Sequence, residues 1–281
     1  MKSRKGMSMS SLRAIARRSA GILRKSGIYR ARQLKHLPDL KAKIEQAIAG
    51  LHEQPLELSE HALAIRIGAA RDSNWLVVMG ARRKIRTRFV FFPHACGNVI
   101  IVGEGADQPT EARFEGSDNV VLVGNRIPWC QVHIRCVSDG AVVSLGKGSI
   151  FNGTEIVVEG DGCGVEVGAE GLFAPNTTIR TSDLHGIYEI SSGEWLNRPA
   201  SVVIEPRVWV GQDAIILKGV RIGGGSIVGA GSIVNRDLPG YSSCAGTPAK
   251  VLRQGVTWSL ARIAEPEEYA ENDAKIMRFR R

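Results

Sequence analysis

A histidine, an aspartate two residues before it and a long break in an otherwise periodic chain mark a place where chemistry can be done. His185 lies six residues after Ile179 and is the only histidine in the regular half of the repeat set out below. Residues 186–200 interrupt that repeat, as a loop leaving a periodic scaffold beside the histidine would. A neutral imidazole is poised to take a proton near physiological pH, which suits a general base. Asp183 would share a face with His185 if the segment were a strand, so its carboxylate can reach the imidazole and fix its tautomer. The alternative is an aspartate that caps a turn at a corner. Tyr188 and Trp195 fall inside the break and are secondary candidates for contact with an acceptor.

The element that must position these residues is legible as a period. Ile204, Val210, Ile216, Ile222, Val228 and Val234 recur at intervals of six, and Gly211, Gly223 and Gly229 directly follow three of them. Four residues after the first five come Val208, Ala214, Val220, Ser226 and Ser232. Six fits neither the 3.6-residue period of an α-helix nor the two-residue period of a hairpin strand. It fits a triangular coil whose sides are short parallel strands, each pointing one apolar residue inward. Three sixes make an eighteen-residue turn, so Gly211 should stack against Gly229. Upstream the repeat is looser: Asn98-Val-Ile-Ile-Val-Gly103, Asn119-Val-Val-Leu-Val-Gly124, Ala141-Val-Val-Ser-Leu-Gly146 and Gly164-Val-Glu-Val-Gly168 place their last glycines 21, 22 and 22 residues apart.

The expected organisation is therefore a basic helical or mixed region over 1–88, a solenoid over 89–240, and a C-terminal loop, strand and helix over 241–281. Leu40, Ile44, Ile48 and Leu51 share one helical face ended by Gly50 and Pro55, and Glu265 to Met277 reads as a final helix. The chain has 281 residues, 32 glycines and a net charge of +9. The charge is concentrated: eleven Lys or Arg and no acid lie between Lys2 and Lys35. That block reads as a solvated helix face, a patch for an acidic partner, a transit peptide or a helix at a membrane surface, where Leu12, Ile15, Ile22 and Leu23 would form a thin apolar stripe. Interleaved aromatics and a nucleic-acid-binding motif are lacking, so nucleic acid is not an expected partner. The apolar runs are too short to cross a bilayer and no apolar segment of secretory type follows the basic start. Five scattered cysteines without CxxC pairing fit reduced thiols in a cytoplasm.

The stretches Phe173-Ala-Pro-Asn-Thr-Thr-Ile-Arg-Thr-Ser-Asp-Leu-His185, Val208-Trp-Val-Gly211, Val228-Gly-Ala-Gly-Ser-Ile-Val234 and Ala245-Gly-Thr-Pro-Ala-Lys-Val-Leu-Arg253 resemble the hexapeptide-repeat O-acetyltransferases. Among these, the branch acting on polysaccharide and other sugar hydroxyls, related to maltose and galactoside acetyltransferases, is most similar. The resemblance covers about residues 140–255 well, 90–140 weakly and the first 88 not at all. Val203-Ile204-Glu205-Pro206 departs from the usual Ile-Gly-Asp corner. The repeat alone identifies a fold that serves several functions, whereas Ser-Asp-x-His before a loop and Val-Trp-Val-Gly is more specific to acetyl transfer.

The resemblance implies a mainly β fold, a left-handed parallel β-helix, and transfer of an acetyl group from acetyl-CoA to a sugar or polysaccharide hydroxyl. It implies His185 as base and Asn152, in an Asn-Gly that also suits an ordinary turn, as a holder of the acceptor or tetrahedral oxygen. Trp209 would stack on a sugar ring or pack between subunits. The pantetheine arm would pass Gln212 and Ala230, and Asn235, Arg236, Lys250 and Arg253 would meet the phosphates. A homotrimer with active sites between neighbours, a cytoplasmic location reaching the inner membrane surface if the basic N-terminus docks there, and no metal complete the expectation. A zinc-dependent γ-carbonic anhydrase is set aside because His94, His133 and His185 do not provide its histidine spacing. The alternatives are N-acetylation of an amino sugar on a nucleotide and, further off, a structural solenoid without activity.

Overall fold

In a computed structural model of the chain, the hexapeptide positions expected to point inward do so: Ile204, Val210, Ile216, Ile222, Val228 and Val234 are all buried, as are Val208, Ala214, Val220, Ser226 and Ser232. The structure describes residues 32–260 apart from 54, 57–58, 60–61, 68–73 and 80–85. The coils build a mainly parallel left-handed β-helix. One face stacks Asn74–Val78, Val99–Val102, Val120–Val123, Val142–Leu145, Gly164–Val167, Val202–Ile204 and Arg221–Ile222 in parallel register. A second stacks Leu172–Phe173, Trp209–Val210 and Ile227–Val228 under Ser242–Gly246. The third stacks Thr177–Arg180, Ile215–Ile216 and Ile233–Val234. The long strand Ile150–Val158 bends across the second and third faces.

Register explains the glycine spacing. A Cβ on Gly211 would lie 2.6 Å from the Ala230 nitrogen and 2.9 Å from the Gly229 carbonyl carbon, so Gly211 stacks against Gly229 and no larger residue fits there. The unusual Glu205-Pro206 corner is accommodated from below by Gly168, whose added Cβ would meet the Pro206 nitrogen at 2.4 Å. Above it, the Glu205 carboxylate accepts the Gly224 N–H at 2.9 Å and pairs with Arg221.

The parallel ladder starts earlier than the expected boundary at residue 89. Asn74–Val78 already pairs with Val99–Val102, and Leu63–Ile67 and Arg32–Gln33 extend that edge antiparallel. The first coil has no clean period of six because residues inserted between its sides blur the spacing. The helix Pro38–Ala49 occupies the expected place and lies on the outside of the first face. Leu40, Ile44 and Ile48 cluster with Val99, Ile101, Val120 and Leu122, while Ile100, Val102, Val121 and Val123 point into the coil. Strands buried on both sides read as continuous apolar runs, which is why Val99–Val102 and Val120–Val123 contain no polar residue. Beyond them Glu166 faces outward instead, tied to His52 Nδ1 at 2.6 Å. The C-terminal hairpin of Ser242–Gly246 and Ala249–Gln254 closes the solenoid. The expected final helix and the apolar stripe near residue 20 lie outside the described residues.

Asn74, Asn98 and Asn119 form a buried ladder. Asn98 Nδ2 donates to Asn74 Oδ1 at 3.0 Å, Asn119 Nδ2 to Asn98 Oδ1 at 2.9 Å, and the Ala141 N–H to Asn119 Oδ1 at 2.7 Å. Each amide satisfies its neighbour, so deletion of one leaves buried polar atoms without partners. Asn98→Ala is expected to lower stability by about 1–3 kcal/mol, measured as a fall in the urea midpoint at unchanged slope. An unmoved midpoint would show that the ladder adds nothing.

Candidate active site

The interruption after Thr181 is a closed loop whose two ends meet at one corner of the solenoid. The Ala200 N–H donates to the Thr181 carbonyl at 2.9 Å, so the coil resumes where it stopped. Thr181 is buried and pinned to the coil before it: its hydroxyl donates to the Glu159 carbonyl at 2.8 Å and accepts the Glu159 N–H at 2.9 Å. The Ser182 hydroxyl hydrogen-bonds the Glu159 carboxylate and accepts the Leu184 N–H at 3.1 Å. This local turn places Leu184 at φ 65°, a left-handed conformation unusual for leucine. His185 and Gly186 follow, and the loop folds into a small hairpin with Tyr188 opposite Trp195. Their rings stack at 6.5 Å, and the Tyr188 ring covers Gly186 so closely that a Cβ there would meet it at 2.6 Å.

The expected contact between Asp183 and the His185 imidazole is not formed. Ser182 to Leu184 is a turn and no longer a strand, so the alternation that would put Asp183 and His185 on one face is lost. The Asp183 carboxylate instead hydrogen-bonds Lys218 Nζ and accepts Asn197 Nδ2 at 2.7 Å. The Lys218 hydrogen bond first, and the Asn197 bond second, hold this carboxyl below its usual range. The His185 imidazole is exposed and hydrogen-bonds no side chain or main chain among the described residues. It lines a cavity of about 470 Å³ together with Glu159, Asp161, Ser182, Trp195, Asn197 and Arg198. The Arg198 guanidinium lies 5.3 Å over the Trp195 ring.

Other expected site residues stand elsewhere. Trp209 is outward and 38 % exposed on the second face, with Trp258 tilted against it at 6.1 Å. Asn152 sits where that face turns into the third, and its amide donates to the Phe173 carbonyl at 3.3 Å. Neither lines the cavity beside His185. Gln212 and Ala230 follow the second-face strands, and Lys250 lies opposite Ala245 in the closing hairpin, with Arg253 opposite Ser243. Asn235 and Arg236 follow Ile233–Val234 at the far edge of the third face. Because Ile216 pairs with Val234, Lys218 and Arg236 occupy successive coils of the corner that carries His185. Arg236, Lys250 and Arg253 are exposed and form no ion pair among the described residues.

Asn197, Lys218 and Glu159 were not anticipated. The signal for Lys218 was available, since it follows inward Ile216 by the two residues that separate Thr181 from inward Ile179, and those two isoleucines pair. Asn197 gave none, because a loop without a period does not say which of its polar residues turns inward.

No family model matches the chain. It is 31% identical over 127 residues to the polysialic acid O-acetyltransferase of Escherichia coli O1:K1 / APEC, a match over 45% of this chain and 41% of that protein. It is 34% identical over 118 residues to the galactoside O-acetyltransferase of Escherichia coli strain K12, over 42% of this chain and 56% of the relative. The chain thus spans about half the length of these relatives. Among solved structures, the polySia specific acetyltransferase NeuO superposes with a TM-score of 0.54 at 25% identity, covering 68% of this chain and 99% of that one. The fold is a left-handed β-helix of hexapeptide repeats. The relatives named here are O-acetyltransferases, in line with the resemblance read from the motifs around His185 and Trp209.

The depressed Asp183 carboxyl sets a direction for pH dependence. A carboxylate held below its ordinary range stabilises the fold above the unfolded value, near ~3.9, and loses that contribution as pH falls through the folded value. The Asp183 carboxyl resonance is expected to titrate below the ordinary range, and Lys218→Met is expected to raise its midpoint towards it. Coincident midpoints in the two proteins would show that Lys218 does not hold Asp183.

Proposed function

We propose that this chain is an acetyl-CoA-dependent acetyltransferase acting on a hydroxyl of a sugar or polysaccharide, with His185 as general base. The observation that carries this reading is an imidazole at the lip of a cavity lined by an aromatic ring and carboxylates, itself hydrogen-bonded to no described residue and so free to accept a proton. A polyhydroxylated ring suits such walls, because its C–H face packs on Trp195 while its hydroxyls meet Glu159 and Asp161. The acceptors named for the relatives are likewise sugars.

Bound acetyl-CoA supplies an activated thioester, so the acceptor oxygen displaces the thiolate directly. His185 takes the hydroxyl proton as the carbon–oxygen bond forms and delivers it to the departing sulfur. Arg236, Lys250 and Arg253 hold the phosphates, and Gln212 and Ala230 border the path of the pantetheine arm. In this reading Asp183 is a structural anion beneath the base, neutralised by Lys218.

The corner of His185 is separate from Asn152 and from Trp209 on the second face within one chain, so in this reading a complete site requires two copies. The second face supports this, because Trp129, Ile150, Leu172, Trp209 and Ile227 stand in register along its outside as an apolar row, exposed at Trp129 and Trp209 and half-buried at the other three, with Trp258 beside Trp209. Head-to-tail contact of this kind closes into rings, and we propose a homotrimer. Sedimentation is expected to give three chains per particle; a fully active monomer would overturn the shared site.

Acetyl-CoA consumption against a panel of sugars, oligosaccharides, amino sugars and nucleotide-sugars tests the activity. His185→Ala is expected to lower kcat by ~10²–10⁴ while acetyl-CoA affinity stays close to normal. Lys250→Ala and Arg253→Ala are expected to raise the KM for acetyl-CoA, each lost contact costing on the order of 1.5–3 kcal/mol, with acceptor KM unchanged. Near-normal turnover of His185→Ala would make this histidine a loop anchor. Transfer to amino groups alone would replace hydroxyl chemistry by N-acetylation.

A further inference from the structure

One side chain ties the two limbs of the inserted loop together on both sides of His185. Asn197 Oδ1 accepts the Ile187 N–H at 2.6 Å and the Trp195 indole N–H at 2.9 Å. Asn197 Nδ2 donates to Asp183 Oδ2 at 2.7 Å and to the His185 carbonyl at 2.8 Å. Two acceptor sites and two N–H groups are the whole capacity of a primary amide, and all four are used within ten residues of the candidate base. The main chain of Asn197 is fixed as well, because its carbonyl accepts Lys218 Nζ at 3.0 Å while the same ammonium reaches Asp183. The amide therefore crosses from the outgoing limb of the loop to the incoming one. It clamps residues on both sides of His185, and through Lys218 the clamp is bolted to the next coil.

We propose that Asn197 is the positioning residue for His185, fixing the main chain from which the imidazole reaches the cavity, with Lys218 and Asp183 as its anchor on the solenoid. The proposal rests on the reading of His185 as general base. Its chemistry is specific to asparagine. Aspartate has the same shape and retains the two accepted bonds, but it cannot donate to the His185 carbonyl and brings a second carboxylate within hydrogen-bond distance of Asp183. Lys218 alone cannot neutralise both. The clamp lies at the neck of a loop whose apolar tip is exposed, with Ile190 fully exposed. Order there comes from polar contacts at the neck, since the tip has no core of its own.

The test compares the full-length wild-type chain with Asn197→Ala and the isosteric Asn197→Asp. Amide hydrogen exchange over residues 184–196 and steady-state kinetics are measured on each. Both variants are expected to lose protection in this loop while the coils on either side keep theirs. Both should lose about 100-fold in kcat, the scale of a small misplacement of a reacting group, with the KM for acetyl-CoA within about twofold of wild type. The exchanged pair, Asp183→Asn with Asn197→Asp, restores one donated bond and is expected to recover part of the loop protection. Protection and kcat both unchanged in Asn197→Asp would overturn the proposal, as would loss of protection without loss of kcat. If Asn197→Ala does not fold, the isosteric variant and the exchanged pair decide. If the wild-type chain acetylates no acceptor in the panel, the catalytic reading falls, and hydrogen exchange still determines whether Asn197 holds the loop of His185.

Discussion

The inward column from Phe151 through Phe173, Val210 and Val228 to Cys244 fixes where every other residue of its face can stand. Parallel strands in register put like positions directly above one another, so one buried side chain per strand commits the next coil to the same alternation. Phe151 and Phe173 stack at 4.8 Å within that column. Once these residues are inside, Trp209 must be outside and Gly211 must pass against Gly229. A slip of one residue would exchange the two sets along the whole ladder. The site depends on this column because the corners, where the candidate functional residues lie, are defined only relative to it.

A corner of such a solenoid is also where an insertion disturbs least. The loop between Thr181 and Ala200 leaves and returns at one hydrogen-bonded point, so the strands Thr177–Arg180 and Val202–Ile204 keep their register with the coils on either side. The scaffold gives the loop its footing through Thr181, Glu159 and Lys218. The loop in turn brings into reach what the flat faces lack, an exposed imidazole beside a concave wall. Rigid coils and a polar neck thus divide the work: apolar stacking supplies position along the axis, and hydrogen bonds orient the groups that leave it.

Charge follows the same division. Two described carboxylates beside the loop are engaged, Asp183 by Lys218 and Glu159 by Ser182, whereas Arg236, Lys250 and Arg253 near the upper coils are exposed and form no ion pair among the described residues. The outer surface of the first face is treated differently, covered by the helix Pro38–Ala49 over the early coils and tied down by the His52–Glu166 pair over the later ones.

Period six in residues 204–234 determined the coil, its inward residues and its glycine contacts, because each of those depends on local spacing and on copies of the same pattern above and below. The continuous apolar runs at Val99–Val102 and Val120–Val123 likewise carried their two-sided burial, though not the identity of the helix that covers them. His185 was legible as a candidate from its place at the end of the period, and the structure puts it at a cavity beside the inserted loop. The sequence did not reveal the start of the solenoid at Asn74, since irregular insertions hide the first coil. Nor did it reveal the partner of Asp183. That choice belongs to a lysine 35 residues away and an asparagine across the loop. A turn at Leu184 rotates the carboxylate away from the imidazole, and only the closed corner of the folded chain brings the ammonium of Lys218 to meet it.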